Sequence, residues 1–305
     1  MNIMVTGGVG FVGTNLIKRL LLDGHKVVCL DNYSTGKKEN EVDHKNVSYF
    51  DVDLRYVHDY DSYISKPDII YHMAALARIQ PSIKDPVTAI QNNFDSTLNI
   101  LDWARGNDTP VIFAGSSSYH HGLWGSPYAW SKFGGEQLCE LYNKVYNLPT
   151  AICRFYNVYG PHQLESGTYA TVIGIFERQY REGKPFTVTG DGEQRRDFTH
   201  IDDIVDGIVR CGVGLKMGFV QKNKNLWENV EASISGEVFE LGTGKNYSII
   251  EITKFFNQTE VEYIPARDGE YDVTLADYSK ANNILGWNPI KSLREYIENI
   301  TNDKS

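Results

Sequence analysis

Apolar residues in the first half of the chain fall into short continuous runs that alternate with stretches of helical period. Ile3-Met4-Val5 reads as a buried strand, and the next segment puts Phe11, Leu16, Ile17, Leu20 and Leu21 on one side of a helix that Gly24 is placed to stop. Lys26–Asp31 reads as a second strand. The rhythm continues through strands at 47–50 and 68–72, a helix from Pro86 to Arg105, a strand at 111–114, a helix from Pro127 to Tyr146 and a strand at 150–154. Such alternation predicts an α/β fold with a doubly wound parallel sheet covered on both faces. After Arg154 the pattern loosens into short apolar runs, with turns at Gly160-Pro161 and Gly190-Asp-Gly192. The division this predicts is a sheet domain over 1–155, with short returns of the chain near 198–212 and 238–244, and a smaller mixed α/β carboxy-terminal lobe over 156–305. No repeat or long linker separates them, and Asn223 to Asn229 reads as a mobile surface loop.

Composition narrows the classes. The chain has 305 residues, 41% of them apolar and 23% charged, and no apolar run long enough to span a bilayer, which points away from a membrane protein. The strand that begins within the first residues leaves no room for a signal peptide, so the expected compartment is the cytoplasm. Cys29, Cys139, Cys153 and Cys211 form no C-x-x-C pair and read as reduced, buried thiols. A net charge of -9 argues against a nucleic-acid surface, so any anionic ligand must meet a local basic site.

The turn Gly7-Gly8-Val9-Gly10-Phe11-Val12-Gly13 follows a strand and opens a helix, and Asp31 stands at the end of the next strand, 18 residues after Gly13. Glycines at 7, 10 and 13 permit a tight turn, close approach of backbone to a pyrophosphate, and close packing of helix on strand. This is a Rossmann nucleotide site. A carboxylate at Asp31 accepts hydrogen bonds from ribose hydroxyls and repels a 2'-phosphate, which favours NAD over NADP; Lys37 and Lys38 read as solvated loop charges.

Tyr-x-x-x-Lys occurs three times, at Tyr33/Lys37, Tyr128/Lys132 and Tyr180/Lys184. Glycine interrupts the first and third, whereas Tyr128 and Lys132 open a long helix just after the serine-bearing end of a strand. Lowering a phenol from about 10 to about 7 requires roughly 4 kcal/mol of preference for the phenolate. One cation at about 4 Å supplies about 4 kcal/mol at an effective dielectric of about 20. Ser116, Tyr128 and Lys132 are therefore the expected proton-transfer group, with Ser116 bonding the substrate oxygen. No G-x-S-x-G elbow supports a hydrolase, and His120-His121 lacks the further ligands of a metal site.

Taken together with Asp31-Asn-Tyr-Ser-Thr-Gly36, Asp51-Val-Asp-Leu-Arg55, His72-Met-Ala-Ala75, Ala77-Arg-Ile-Gln-Pro-Ser82, Arg154-Phe-Tyr-Asn157 and Gly190 to His200, these residues resemble the extended short-chain dehydrogenase/reductase family. Within it the chain is similar to the NAD-dependent UDP-hexose 4-epimerases. The resemblance implies that Gly7, Gly10, Phe11, Val12, Gly13, Asp31, Asn32, Ser34 and Gly36 hold the cofactor. It further implies Asp53 and Leu54 at the adenine, Ala74 and Ala75 on the phosphate-ribose side, Asn93 in the interior of the cofactor site and Tyr156 near the nicotinamide. Asn157, Arg196 and Arg267 would hold the diphosphate and ribose of a UDP-sugar, and the strand with Thr187 would meet uracil. Thr274, seven residues after Arg267, would border the sugar and leave room for an N-acetyl group. The resemblance also implies a homodimer through a four-helix bundle built from the helices near 90–105 and 127–146.

Two readings stay open beside epimerisation: another sugar-nucleotide reaction that starts with C4 oxidation, such as UDP-uronate decarboxylation or dehydration, and an NAD-sensing protein without turnover. A carboxylate is missing from Ser116-Ser117-Ser118, which disfavours 4,6-dehydration. Counting from the strand selects Ser116 as the catalytic serine; counting back from Gly122 selects Ser117. The connection over 119–127 is short for the family, and the segment 212–236 is long.

Overall fold

A computed structural model of the chain describes residues 1–56, 59–120, 122–224, 234–257, 260–267, 269 and 271–302. The first half runs β1 (Asn2–Thr6), α1 (Phe11–Leu22), β2 (Lys26–Asp31), β3 (Val47–Asp51), β4 (Ile69–His72), α2 (Ile79–Lys84), α3 (Pro86–Ile90), α4 (Ser96–Gly106), β5 (Val111–Ser116), α5 (Pro127–Tyr146) and β6 (Thr150–Phe155). The second half adds β7 (Val158–Tyr159), α6 (Val172–Glu182), β8 (Phe186–Thr189), β9 (Arg195–Asp197), β10 (Thr199–His200) and α7 (Ile201–Lys224). It ends with β11 (Glu237–Leu241), β12 (Asn246–Ser248), α8 (Ile249–Phe255), β13 (Val261–Ile264), α9 (Ser279–Leu285) and α10 (Leu293–Asn302).

Seven parallel strands form one sheet in the order β11-β6-β5-β4-β1-β2-β3. Every residue of β4 and β5 is buried, as strands covered on both faces require. One face carries Leu16, Ile17 and Leu20 of α1 against Ile204 and Ile208 of α7, and the other carries Ile100, Leu101 and Ala104 of α4 with Cys139 and Tyr142 of α5. A third cluster, around Phe176, Phe186, Phe256, Leu293 and Ile297, lies outside the sheet. Trp287 is fully buried, and its indole N–H donates to Asp203 O at 2.8 Å, locking the turn after α9 onto α7. All four cysteines are buried thiols. Among the described residues, no helix is long and apolar enough to cross a membrane.

One local reading needs revision, one helix was unforeseen, and one segment is described only in part. The helix expected from Pro86 to Arg105 is α3 and α4 joined through a π-helical turn at Gln91–Asp95, whose added residue turns Asn93 inward. The short helix α2 was not marked by apolar period. The segment expected to be long begins as a continuation of α7, which runs on to Lys224; residues 225–233, and with them most of the loop read at 223–229, lie outside the described residues.

Candidate active site

The strand order reverses between β1 and β4, and a crevice opens beyond their carboxyl ends. Gly7 has φ 69°, and a Cβ there would stand 2.6 Å from Ala74 Cα; a Cβ on Gly13 would overlap Gly7 O. These two glycines are demanded by packing. Gly10 is not: its Cβ would meet only Gly7 O, at 3.3 Å. Its bare side faces the cleft at the N-cap of α1, where no side chain caps the free N–H groups. That cradle fits a dinucleotide diphosphate and would be filled by any side chain. Phe11, Val12, Asn32, Ser34, Asp53, Leu54, Ala74 and Ala75 line the same cavity of about 520 Å³.

Asp31 Oδ2 accepts the Val9 N–H at 3.0 Å, and Oδ1 accepts the Tyr33 N–H at 2.9 Å. Burial raises its carboxyl and the two amides oppose the rise. Asp53 is clamped by Arg55, closest contact 2.6 Å, and that hydrogen bond lowers its carboxyl. Gly36 does not line the cavity; it packs on Val9, whose Cγ2 would lie 2.6 Å from an added Cβ.

The chemical centre is built by β5 and α5. Ser116 ends β5, and Tyr128 sits in the first turn of α5, which starts sharply because Ser126 caps the Ala129 N–H at 3.1 Å and Pro127 occupies the first helical position. Tyr128 Oη donates to Ser116 Oγ at 3.3 Å, and Ser118 Oγ donates to the same oxygen at 2.9 Å. Between the two candidate serines, the tyrosine thus bonds Ser116; Ser117 begins the following 3-10 turn but also borders the cavity. Burial raises the Tyr128 phenol, while the Ser116 hydrogen bond and the charge of Arg78 lower it. Lys132 is buried with Nζ 4.3 Å from the centroid of the Phe113 ring. Its pKa falls to about 8 through desolvation, opposed by Glu136.

Behind this centre, Thr6 Oγ1 accepts the Ala74 N–H at 3.2 Å and donates to His72 Nδ1 at 2.7 Å. His72 Nε2 donates to Thr97 Oγ1 at 3.1 Å, which donates to Asn93 O at 2.6 Å. Burial, reinforced by the charge of Lys132, lowers His72 to about 3, so the ring is a neutral strut with one tautomer. Asn93 corrects the expectation placed on it. Its amide is consumed by Leu76 N–H at 2.7 Å, Leu76 O at 3.1 Å and Ser131 Oγ at 2.9 Å, so it braces the cleft loop against α5 without lining the cavity.

At the far end of the cavity lie Asn157, Thr187, Arg196, Arg267 and Thr274. Asn157 Nδ2 donates to Asp197 O at 3.0 Å and Thr274 Oγ1 at 3.1 Å, and among the described residues the carbonyl end of its amide meets no donor. The Thr187 N–H donates to Gln179 Oε1 at 3.3 Å. Tyr156 is a second correction. It is fully buried away from the cavity, with Oη donating to Glu240 Oε2 at 2.9 Å, and Phe155 lines the cleft in its place. Phe155 and Asn157 face one way along the chain, and the residue between them faces the other. Sequence reasoning also passed over Arg78, Tyr169 and Tyr271, which border the cavity. His120 is engaged by Glu240, and His121 lies outside the described residues.

The comparisons agree with this geometry. Residues 3–212 match the NAD dependent epimerase/dehydratase family. The chain is 31% identical over 98% of its length to a putative UDP-glucose 4-epimerase of Methanocaldococcus jannaschii, covering 97% of that protein. It is 30% identical over 97% of its length to the UDP-glucose 4-epimerase of Mycolicibacterium smegmatis, covering 96% of that protein. The solved structure of UDP-glucuronic acid 4-epimerase from Bacillus cereus, in complex with UDP-glucuronic acid and NAD, superposes with a TM-score of 0.84 at 27% identity, over 100% of both chains. A glycine cradle at the switch point, a serine-bonded tyrosine beside it and a match across two thirds of the chain lead to one assignment: the protein belongs to the NAD dependent epimerase/dehydratase family and uses NAD.

Proposed function

We propose that the protein is a UDP-sugar 4-epimerase that oxidises the C4 hydroxyl of a UDP-hexose and then reduces the 4-keto sugar on its opposite face. The observation that carries this reading is the 3.3 Å hydrogen bond from Tyr128 Oη to Ser116 Oγ inside the cleft that the glycine turn floors. Bound NAD supplies the hydride acceptor and donor at C4. Tyr128 takes the C4 hydroxyl proton and later returns it. Ser116, whose oxygen already accepts from Tyr128 and Ser118, keeps its proton and donates a hydrogen bond to the sugar oxygen. Lys132, near pKa 8, is largely an ammonium at neutral pH, while the groups that lower the Tyr128 phenol against its burial are Ser116 and the charge of Arg78.

In this reading, residues 1–155 bind NAD, with Gly7, Gly10, Phe11, Val12 and Gly13 at the diphosphate, Asp31, Asn32 and Ser34 at the ribose, Asp53 and Leu54 at the adenine, and Ala74 and Ala75 toward the nicotinamide half. Residues 156–305 bind the sugar nucleotide. Arg196 and Arg267 take the diphosphate, since planar guanidinium donors match its oxygens. Asn157 accepts from a hydroxyl, and Thr187 borders the base. The small, buried Thr274 leaves room at the sugar for an N-acetyl group, which favours UDP-GlcNAc and UDP-GalNAc among neutral hexoses. Leu98 on α4 and Leu141 and Val145 on α5 are exposed, and they support a homodimer joined through these helices. Four buried thiols suit the reducing cytoplasm.

The test is incubation of the purified protein with UDP-hexoses without added reductant, read by chromatography. Appearance of the C4 epimer, and its loss in Tyr128→Phe with NAD still retained, supports the proposal. Absence of any epimer across neutral, N-acetylated and acidic UDP-hexoses, while NAD is bound, refutes it.

A further inference from the structure

Arg78 reaches the cleft from the loop between β4 and α2. Its backbone lies at φ 152° and ψ 142°, a region that residues with side chains rarely occupy and that persists where surroundings over-determine it, most often at ligand sites. The half-buried side chain spends one hydrogen bond inside the protein, from Nε to Tyr169 O at 3.2 Å. No carboxylate among the described residues pairs with it, and the helix that Arg78 leads into is tied to the start of α5 by the Tyr128 N–H, which donates to Ser82 Oγ at 3.1 Å. A guanidinium keeps its proton under such burial, so a fixed positive charge with unspent donors stands in the cavity that Tyr128 also lines.

The charges along the cavity are unequal. Its described carboxylates, Asp31 and Asp53, both stand at the NAD end, and Asp53 is clamped by Arg55. Away from that end stand three arginines, Arg78, Arg196 and Arg267. If Arg196 and Arg267 answer the two charges of a UDP diphosphate, Arg78 calls for one more anion, next to the carbon that Tyr128 addresses. This step rests on the UDP-sugar reading above.

We propose that Arg78 is the counter-ion for a carboxylate on the sugar, so that the preferred substrate is a UDP-hexuronate. The carboxylate of a hexuronate is attached to C5, one bond from C4, which places it beside any group that neighbours Tyr128. An arginine meets a carboxylate through two parallel N–H···O bonds. A neutral hydroxymethyl group would instead exclude water from the guanidinium without replacing the lost charge. The proposal is compatible with an N-acetyl group, because Thr274 and Arg78 address different ring positions.

The experiment is calorimetric titration of the NAD-loaded protein with UDP-glucuronate and with UDP-glucose, in wild type, Arg78→Met and Arg78→Lys. Wild type is expected to bind UDP-glucuronate about tenfold to a hundredfold more tightly, the range for a charge-assisted pair. Arg78→Met should abolish that preference mainly by weakening UDP-glucuronate, and Arg78→Lys should keep part of it. Equal affinity for both sugars in wild type overturns the assignment and leaves the UDP-sugar reading intact. Equal weakening of both sugars in Arg78→Met, with their affinity ratio unchanged, also overturns it, because Arg78 would then serve the diphosphate or the fold. Binding of neither sugar to NAD-loaded protein overturns both readings.

Discussion

Replacing Glu136 with Gln tests the electrostatic frame beneath the active site. Glu136 and Arg154 are both buried and joined by three hydrogen bonds, the shortest 2.7 Å, over Gly115, where a Cβ would come within 2.8 Å of Glu136 Oε1. Arg154 also lies 3.4 Å from the centroid of the Tyr119 ring and 3.7 Å from Glu240 Oε1. Removing one partner of a buried pair costs about 3–5 kcal/mol. Gln keeps an acceptor, and Glu240 keeps a charge nearby, so the expected cost is about 2–3 kcal/mol. With 305 residues and about 2.1 cal/mol/K of unfolding entropy per residue, this corresponds to a fall in Tm of about 3–5 °C. A second readout separates function from stability. Glu136 holds the Lys132 ammonium up against desolvation, so Glu136→Gln should move the alkaline limb of kcat, expected near pH 8, to lower pH. The double variant Glu136→Leu/Arg154→Met, which removes both charges, should recover most of the lost Tm. An unchanged Tm with an unchanged alkaline limb would refute the account.

Gly10→Ala and Gly13→Ala should part company: the first keeps the Tm of nucleotide-free protein within about 1 °C but loses NAD, while the second destabilises the protein itself, as melting curves and release of nucleotide on denaturation will show. Glu177 is buried, and its pKa is raised to about 7, chiefly by desolvation. Its contribution to stability is fully present below its ordinary value of 4.5 and is lost as pH rises through about 7, so Glu177→Gln should raise Tm at pH 8 relative to wild type and not at pH 4. Thr274→Tyr should reduce kcat/KM on N-acetylated UDP-hexoses at least about tenfold more than on UDP-glucose; equal losses would show that the change acts through the Asn157 hydrogen bond instead.

What was legible in the sequence were features whose cause is local. The glycine turn could be read because a positive φ at Gly7 and the contact of Gly13 with Gly7 are set within a few residues. The α5 start could be read from Ser126-Pro127, and the i, i+4 spacing placed Tyr128 and Lys132 on one helix face. Spacing did not reveal that the ring of Phe113, from a strand ten or more residues away, receives the lysine amine. Nor did the motif Arg154-Phe-Tyr-Asn157 tell which residue faces the ligand. That depends on β6 pairing Phe155 with Ser116 and on Tyr156 finding Glu240 across the fold. Likewise the choice between Ser116 and Ser117 turned on where β5 stops. The charges were least legible, since Arg78, Arg196 and Arg267 come from three separate segments and acquire a common meaning only when the cavity brings them together. For Arg78 even the backbone was hidden, because its positive φ occurs at a residue that gives no sign of it. Its φ of 152° holds a cation that no described carboxylate pairs with in the cavity that Tyr128 lines, and strain of that kind persists where the surroundings over-determine it.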